Sequence, residues 1–133
     1  MLTGKSAIVT GATSGIGLAI VKAFAAQGCN LMFNGLGDPQ VNENLRRNVA
    51  DEFGVKVHYH DADLTRPEEI STLIKAAEDA FGCLDILVNN AGIQHLSPIE
   101  TFPTERWDAI VAINMSAPFH TIRAALPGMK RHG

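Results

Sequence analysis

Four short apolar runs alternate with four longer stretches in which apolar residues recur every three or four positions. Residues 6–10 (SAIVT), 30–33 (NLMF) and 86–88 (ILV) are continuous apolar runs, as strands covered on both faces require. Residues 55–60 (VKVHYH) alternate instead, which suits a strand nearer a sheet edge. The stretch 15–27 sets Ile16, Ala19, Ile20, Ala23 and Phe24 at helical spacing and is expected to stop at Gly28. Asp38-Pro39 reads as the cap and first residue of a second helix, ended by Gly54. Thr65-Arg66-Pro67-Glu68 has the form of a capping box, opening a helix that reaches about Phe81 before Gly82. Thr104 is expected to cap the last helix, which passes Trp107, Ile110 and Val111 and is closed by Leu126-Pro127-Gly128. Strand and helix alternating four times over predict one α/β domain across residues 1–133. Its architecture is a doubly wound parallel sheet with helices on both faces.

The first chemical signal lies between the first strand and the first helix, in TGATSGIG, Thr10 to Gly17. Gly11 lets the chain turn sharply off the strand. Gly15 removes a side chain where a pyrophosphate must approach the backbone, and Gly17 lets the helix pack closely. The free N–H groups and positive dipole end of that helix would hold the phosphates, with Thr13, Ser14 and Ile16 in the same turn. In such folds an acid at the tip of the second strand grips the ribose of NAD. Here the tip reads Phe33-Asn34-Gly35-Leu36-Gly37-Asp38, and Asp38 is better used as a helix cap. There is equally no Arg or Lys from 34 to 38 to meet a 2′-phosphate. NAD is favoured over NADP by that absence.

Composition narrows the field. The chain is 46% hydrophobic and 19% charged with a net charge of -3, and its basic residues are scattered, so it offers no nucleic-acid surface. No apolar run approaches the ~20 residues that span a bilayer. Cys29 and Cys83 read as separate core thiols, which fits a reducing cytoplasm. His58 and His60 share a side of their strand at a spacing that can hold zinc. No third ligand stands at a suitable position, so they read as surface histidines and no metal is expected.

After the fourth strand comes DILVNNAGIQH, Asp85 to His95. TGATSGIG and NNAG at this separation resemble the short-chain dehydrogenase/reductase family, and the resemblance runs through the whole chain. It implies a strand order of 3-2-1-4 and a nucleotide held by Gly11, Thr13, Ser14, Ile16, Gly17 and Leu36. It further implies contacts of Asp63 and Leu64 with adenine, and of Asn90, Ala91 and Gly92 with the nicotinamide side. The stretches NGLGD, NNAGIQH and FPTERWDAI…SAPFH are similar to the D-3-hydroxybutyrate dehydrogenases within that family. That implies a short hydroxy or keto acid substrate, with Gln94 donating hydrogen bonds to its carboxylate.

Pro118 stands four residues after Asn114 inside the last helix, so the Asn114 carbonyl loses its helical partner and a kink is expected. The resemblance gives Asn114 a place in a catalytic tetrad with Ser, Tyr and Lys. The other three belong to a Tyr-x-x-x-Lys helix and the strand before it. The only tyrosine here is Tyr59, and Asp63 rather than Lys stands four residues later. The expectation is a cofactor-binding part, truncated after four βα units, without the catalytic part and inactive alone. The alternative is a nucleotide-binding or assembly fragment with no catalytic role. Strand four would form an apolar edge, which predicts a homo-oligomer, tetrameric as in the resembling family.

Overall fold

The computed structural model describes residues 1–133. The four apolar runs form strands β1 (Ser6–Val9), β2 (Asn30–Asn34), β3 (Val57–His60) and β4 (Ile86–Val88). They pair in parallel in the order β3-β2-β1-β4. Helices α1 (Gly15–Ala26), α2 (Pro39–Phe53) and α3 (Pro67–Phe81) connect them. After β4 come a short 3₁₀ turn (Ile99–Thr101), helix α4 (Thr104–Ile110), a wider π-helical turn (Val111–Ser116) and helix α5 (Ala117–Arg131). No helix is long and apolar enough to cross a membrane.

Successive strand residues point to opposite faces, so β1 and β2 feed two cores. Ala7, Val9, Leu31 and Phe33 cluster with Val21 and Ala25 of α1 and Val49 of α2. Ile8 and Met32 face the other way, onto Leu73, Ile74 and Ala77 of α3 and Ala125 of α5. This is the doubly wound arrangement the sequence pattern predicts. Both edges are less buried than the centre: in β3 Val57 is covered, His58 is exposed, and Tyr59 and His60 are half-buried, and β4 is half-buried throughout. The two strand histidines find local partners. His58 packs edge-on against Phe81, and His60 Nδ1 accepts the Ala62 N–H at 3.1 Å. No group of His, Cys, Asp and Glu is placed to hold a metal ion.

Packing corrects four local expectations. The covered face of α1 is Gly17, Val21 and Ala25, with Ile20 and Phe24 beside it, while Ile16, Ala19 and Ala23 are exposed. Helix and sheet approach most closely where Gly17 has no side chain, and the buried stripe is centred there. Thr65 does not cap α3. Its hydroxyl donates to Asp63 Oδ1 at 2.7 Å, Arg66 takes the cap position, and Glu69 reaches back to accept the Asp63 N–H. Thr104 likewise opens α4 as its first helical residue after Pro103. Pro127-Gly128 does not close α5, which runs on to Arg131. Pro127 is exposed, and Gly128 is buried where the Glu78 carboxylate of α3 lies across it. Ala117, Thr121, Ala125 and Gly128 form the buried stripe of α5, and tertiary packing overrides the local breaker signal.

Pro118 has a structural counterpart in the π-helical turn just before it. The Ala117 N–H reaches the Ala112 carbonyl, five residues back instead of four. Such a register change is how a helix absorbs a missing donor or an extra residue.

Candidate functional site

The segments following all four strands border one cleft of about 210 Å³. Gly11 comes from the turn after β1, Asn34, Gly35 and Leu36 from the end of β2, and Ala62, Asp63 and Leu64 from the end of β3. Ala91, Gly92 and Ile93 come from the segment after β4, and Ile113 from the π-helical turn. A crevice at the carboxyl ends of the strands is where open α/β sheets bind ligands.

The three motif glycines do different work. Gly11 has φ +60°, and a Cβ there would lie 2.7 Å from the Ala91 Cα, so the turn rests against the segment after β4. Gly17 packs so closely that a Cβ would strike the Gly11 carbonyl and the Asn90 amide. Gly15 has φ +57° and nothing within 4 Å of where its Cβ would be. That open space lies over the N-terminus of α1, where Ser14 makes no capping bond and no acid occupies the first turn. Uncapped N–H groups at a helix start attract an anion. Ser14 and Ile16 flank this spot and are exposed.

Thr10 holds the two halves of the site together. Its buried hydroxyl oxygen accepts the N–H groups of Asn90 and Ala91, each at 3.0 Å. Asn90 answers by donating from Nδ2 to the carbonyls of Thr10 (3.2 Å) and Gly11 (3.0 Å). The Asn90 amide therefore fixes the glycine turn, and Ala91 and Gly92 supply the cleft wall. Asn34 plays the matching part on the other side. It is 1% exposed, donates to the carbonyls of His60 (3.1 Å) and Ala62 (3.0 Å), and accepts from the Gly11 N–H (3.4 Å). The tip of β2 thus turns its side chain inward. Gly35 follows, and a Cβ there would strike the Thr13 side chain, so Thr13 supports the wall from behind. Leu36 is the first side chain past the strand that reaches outward, 61% exposed.

Asp63 is the one charged residue on the cleft wall. Hydrogen bonds from the Thr65 hydroxyl and then the Thr65 N–H hold its carboxyl below the ordinary carboxylate range, and Arg66 adds to the effect. It is ionised at neutral pH. Across the cleft, Asn114 pins the segment after β4 with both ends of its amide. Oδ1 accepts the Ile93 N–H at 2.9 Å, and Nδ2 donates to the Ile93 carbonyl at 2.8 Å. Thr121 adds a second tie, donating to Asn89 Oδ1 at 2.7 Å. Gln94 is exposed next to this clamp.

The structure therefore brings Gly11, Leu36, Asp63, Leu64, Ala91 and Gly92 to one cleft, with Gly15, Gly17, Ser14 and Ile16 at the helix start beside it. Thr13 and Asn90 stand behind the wall as supports. Sequence reasoning passes over Thr10, Asn34, Gly35, Ala62, Ile93 and Ile113. Thr10 and Asn34 carried one signal, a polar residue ending an apolar strand.

A family model for short chain dehydrogenases matches residues 5–133. The chain belongs to the short-chain dehydrogenase family. Among curated members it is 54% identical over 131 residues to a D-beta-hydroxybutyrate dehydrogenase of Cupriavidus necator, covering 98% of this chain and 50% of that protein. It is 48% identical over 129 residues to the enzyme of that name in Rhizobium meliloti, covering 97% and 50%. Among solved structures, the L-sorbose reductase of Gluconobacter frateurii, complexed with NADPH and L-sorbose, superposes with a TM-score of 0.94 at 32% identity. That match covers 99% of this chain and 50% of the reductase. A metagenomic short-chain oxidoreductase in complex with NADP gives 0.91 at 32%, covering 98% and 59%. The chain spans about half the length of the curated short-chain dehydrogenases it matches.

Proposed function

We propose that this chain is the NAD-binding part of an oxidoreductase that interconverts D-3-hydroxybutyrate and acetoacetate. The observation that carries the reading is the cleft itself: an uncapped helix start under an open glycine, beside a wall whose only charge is Asp63. The donor set fits a dinucleotide. The first-turn N–H groups of α1 would take the pyrophosphate, Asp63 and Leu64 the adenine, Leu36 the ribose side, and Ala91 and Gly92 the nicotinamide side. When bound, the nicotinamide accepts or supplies the hydride. A 2′-phosphate would meet the Asp63 carboxylate and no cation on this wall, which favours NAD; the NADP-bound neighbours share the fold at 32% identity only.

The two named hydroxybutyrate dehydrogenases support the substrate class. Gln94 would donate its amide hydrogens to the substrate carboxylate. Asn114 holds Ile93, and with it the approach to Gly92. Tyr59 is bonded to the Gly35 carbonyl and has Asp63 four residues on, so it does not supply the family's Tyr-x-x-x-Lys pair. The chain by itself is a binding unit without turnover. The apolar residues Trp107, Met115, Phe119, Ile122 and Leu126 are exposed along α4, the π-helical turn and α5, which supports a homo-oligomer. The free thiols Cys29 and Cys83 support a cytoplasmic setting.

Calorimetric titration of the 133-residue chain tests the reading. NAD and ADP-ribose are expected to bind, NADP about tenfold more weakly, and D-3-hydroxybutyrate with NAD to give no NADH. Equal affinity for NADP would overturn the cofactor preference, and absence of binding by any dinucleotide would overturn the reading.

A further inference from the structure

We infer that Tyr59 is a positioning residue for the adenosine end of the cleft, acting with Asn42 through the Gly35 carbonyl. This rests on the dinucleotide reading above. The chain's single tyrosine sits on the edge strand β3, and its hydroxyl donates to the Gly35 carbonyl at 2.5 Å. The same oxygen accepts a hydrogen bond from Asn42 Nδ2 at 2.9 Å. Asn42 is 3% exposed on the first turns of α2, so the relay is anchored in the core at both ends. The Tyr59 ring lies 5.1 Å from the Phe33 ring, which fixes where the hydroxyl can reach.

Gly35 needs such a holder. Between the buried Asn34 and the exposed Leu36 the backbone crosses from core to cleft wall, and Gly35 has no side chain of its own to anchor it. From one side the Thr13 side chain fills the space a Cβ would take. From the other, the Tyr59 hydroxyl takes the carbonyl. The segment is thus clamped between the glycine turn of β1 and the edge strand, with Leu36 and the Gly35 backbone presented to the cleft. A hydrogen bond placed behind a binding wall acts on affinity by keeping that wall preorganised. Because Asn42 donates to the Tyr59 oxygen, the phenolic proton is left for Gly35 alone.

The test is calorimetric titration of the parent chain, Tyr59→Phe, Asn42→Ala and the double variant with ADP-ribose and with inorganic pyrophosphate. Thermal unfolding is followed in parallel. Tyr59→Phe keeps the ring packing and is expected to weaken ADP-ribose by about fivefold, the size of one hydrogen bond, while pyrophosphate affinity is unchanged. Asn42→Ala should weaken ADP-ribose less, and the double variant should match Tyr59→Phe, since residues acting through one contact are not additive. Unchanged ADP-ribose affinity in a folded Tyr59→Phe, or equal loss with both ligands, would overturn the proposal. Failure of the parent to bind either ligand would instead overturn the dinucleotide reading and the proposal with it.

Discussion

The sheet has two sides held by different forces. On the β3-β2-β1 side, Ala7, Ile8, Val9, Leu31 and Phe33 are 0–1% exposed, and helices cover both faces. From Asp85 to Ser116, through β4, the site segment, α4 and the π-helical turn, no residue is buried. Yet both sides line the cleft, the first with Gly11 and the ends of β2 and β3, the second with Ala91, Gly92, Ile93 and Ile113. The first side is positioned by apolar packing, and polar ties such as Asn34 are enclosed within it. The second is positioned by hydrogen bonds: buried Thr10 holds the Asn90 and Ala91 N–H groups, buried Thr121 holds the Asn89 side chain, and Asn114 ties Ile93 within the segment itself. A site can therefore be ordered where there is little hydrophobic core, provided its backbone groups are paired by fixed partners from a region that has one.

The contrast is sharpest in truncations. Leu31→Ala should cost about 3 kcal/mol of stability, whereas Leu87→Ala in the half-buried β4 should cost about 1 kcal/mol. Urea unfolding of the two variants decides this, and equal costs would break the contrast. Next come the glycines. Gly17→Ala drives a methyl into the Gly11 carbonyl and the Asn90 amide and should cost about 2 kcal/mol, with nucleotide affinity lost alongside. Gly15→Ala has open space but a left-handed φ, so it should cost only about 1 kcal/mol while still obstructing the phosphate approach. Melting temperature against NAD affinity separates them.

Thr10→Val keeps the shape and removes the acceptor shared by Asn90 and Ala91, which should cost about 1–2 kcal/mol. Hydrogen exchange should speed up at those two amides while α1 and α2 keep their protection. Uniform acceleration would mean that the two sides unfold as one unit. The smallest effect concerns the thiols. Burial, with Asp85 nearby, pushes the Cys29 thiol up to about 11, so at pH 8 it is protonated as well as enclosed. Iodoacetamide should label half-buried Cys83 and leave Cys29 untouched in the folded chain, read by intact mass. Because the folded thiol pKa is raised, its protonated form is favoured by folding. The matching stability is present below the ordinary thiol pKa and lost as pH rises toward 11.

Much of this was legible in the chain. Strand number, helix ends at Gly54 and Gly82, and the Asp38 cap follow from spacing and punctuation, because those signals act within a turn or two, while the strand order came from the family resemblance. The glycine motif carried the site's location for the same reason: its strand, turn and helix are contiguous. Less legible was anything set by a neighbour distant in sequence. The face of α1 shifted because Gly17 meets Asn90, and Pro127-Gly128 stayed helical because α3 packs across it.

The sequence by itself determined which elements form, their order, and which segments after the strands could meet a nucleotide. Only the tertiary structure decided which polar residues build the cleft and which support it. Asn34 and Leu36 stand two apart, and one is turned into the core while the other lines the wall. Asn90 is bound to Thr10 across 80 residues. Hydrophobic period and turn chemistry are local and repeat along the chain. The direction of a single polar side chain depends on whichever unpaired backbone group folding brings beside it, and no spacing records that.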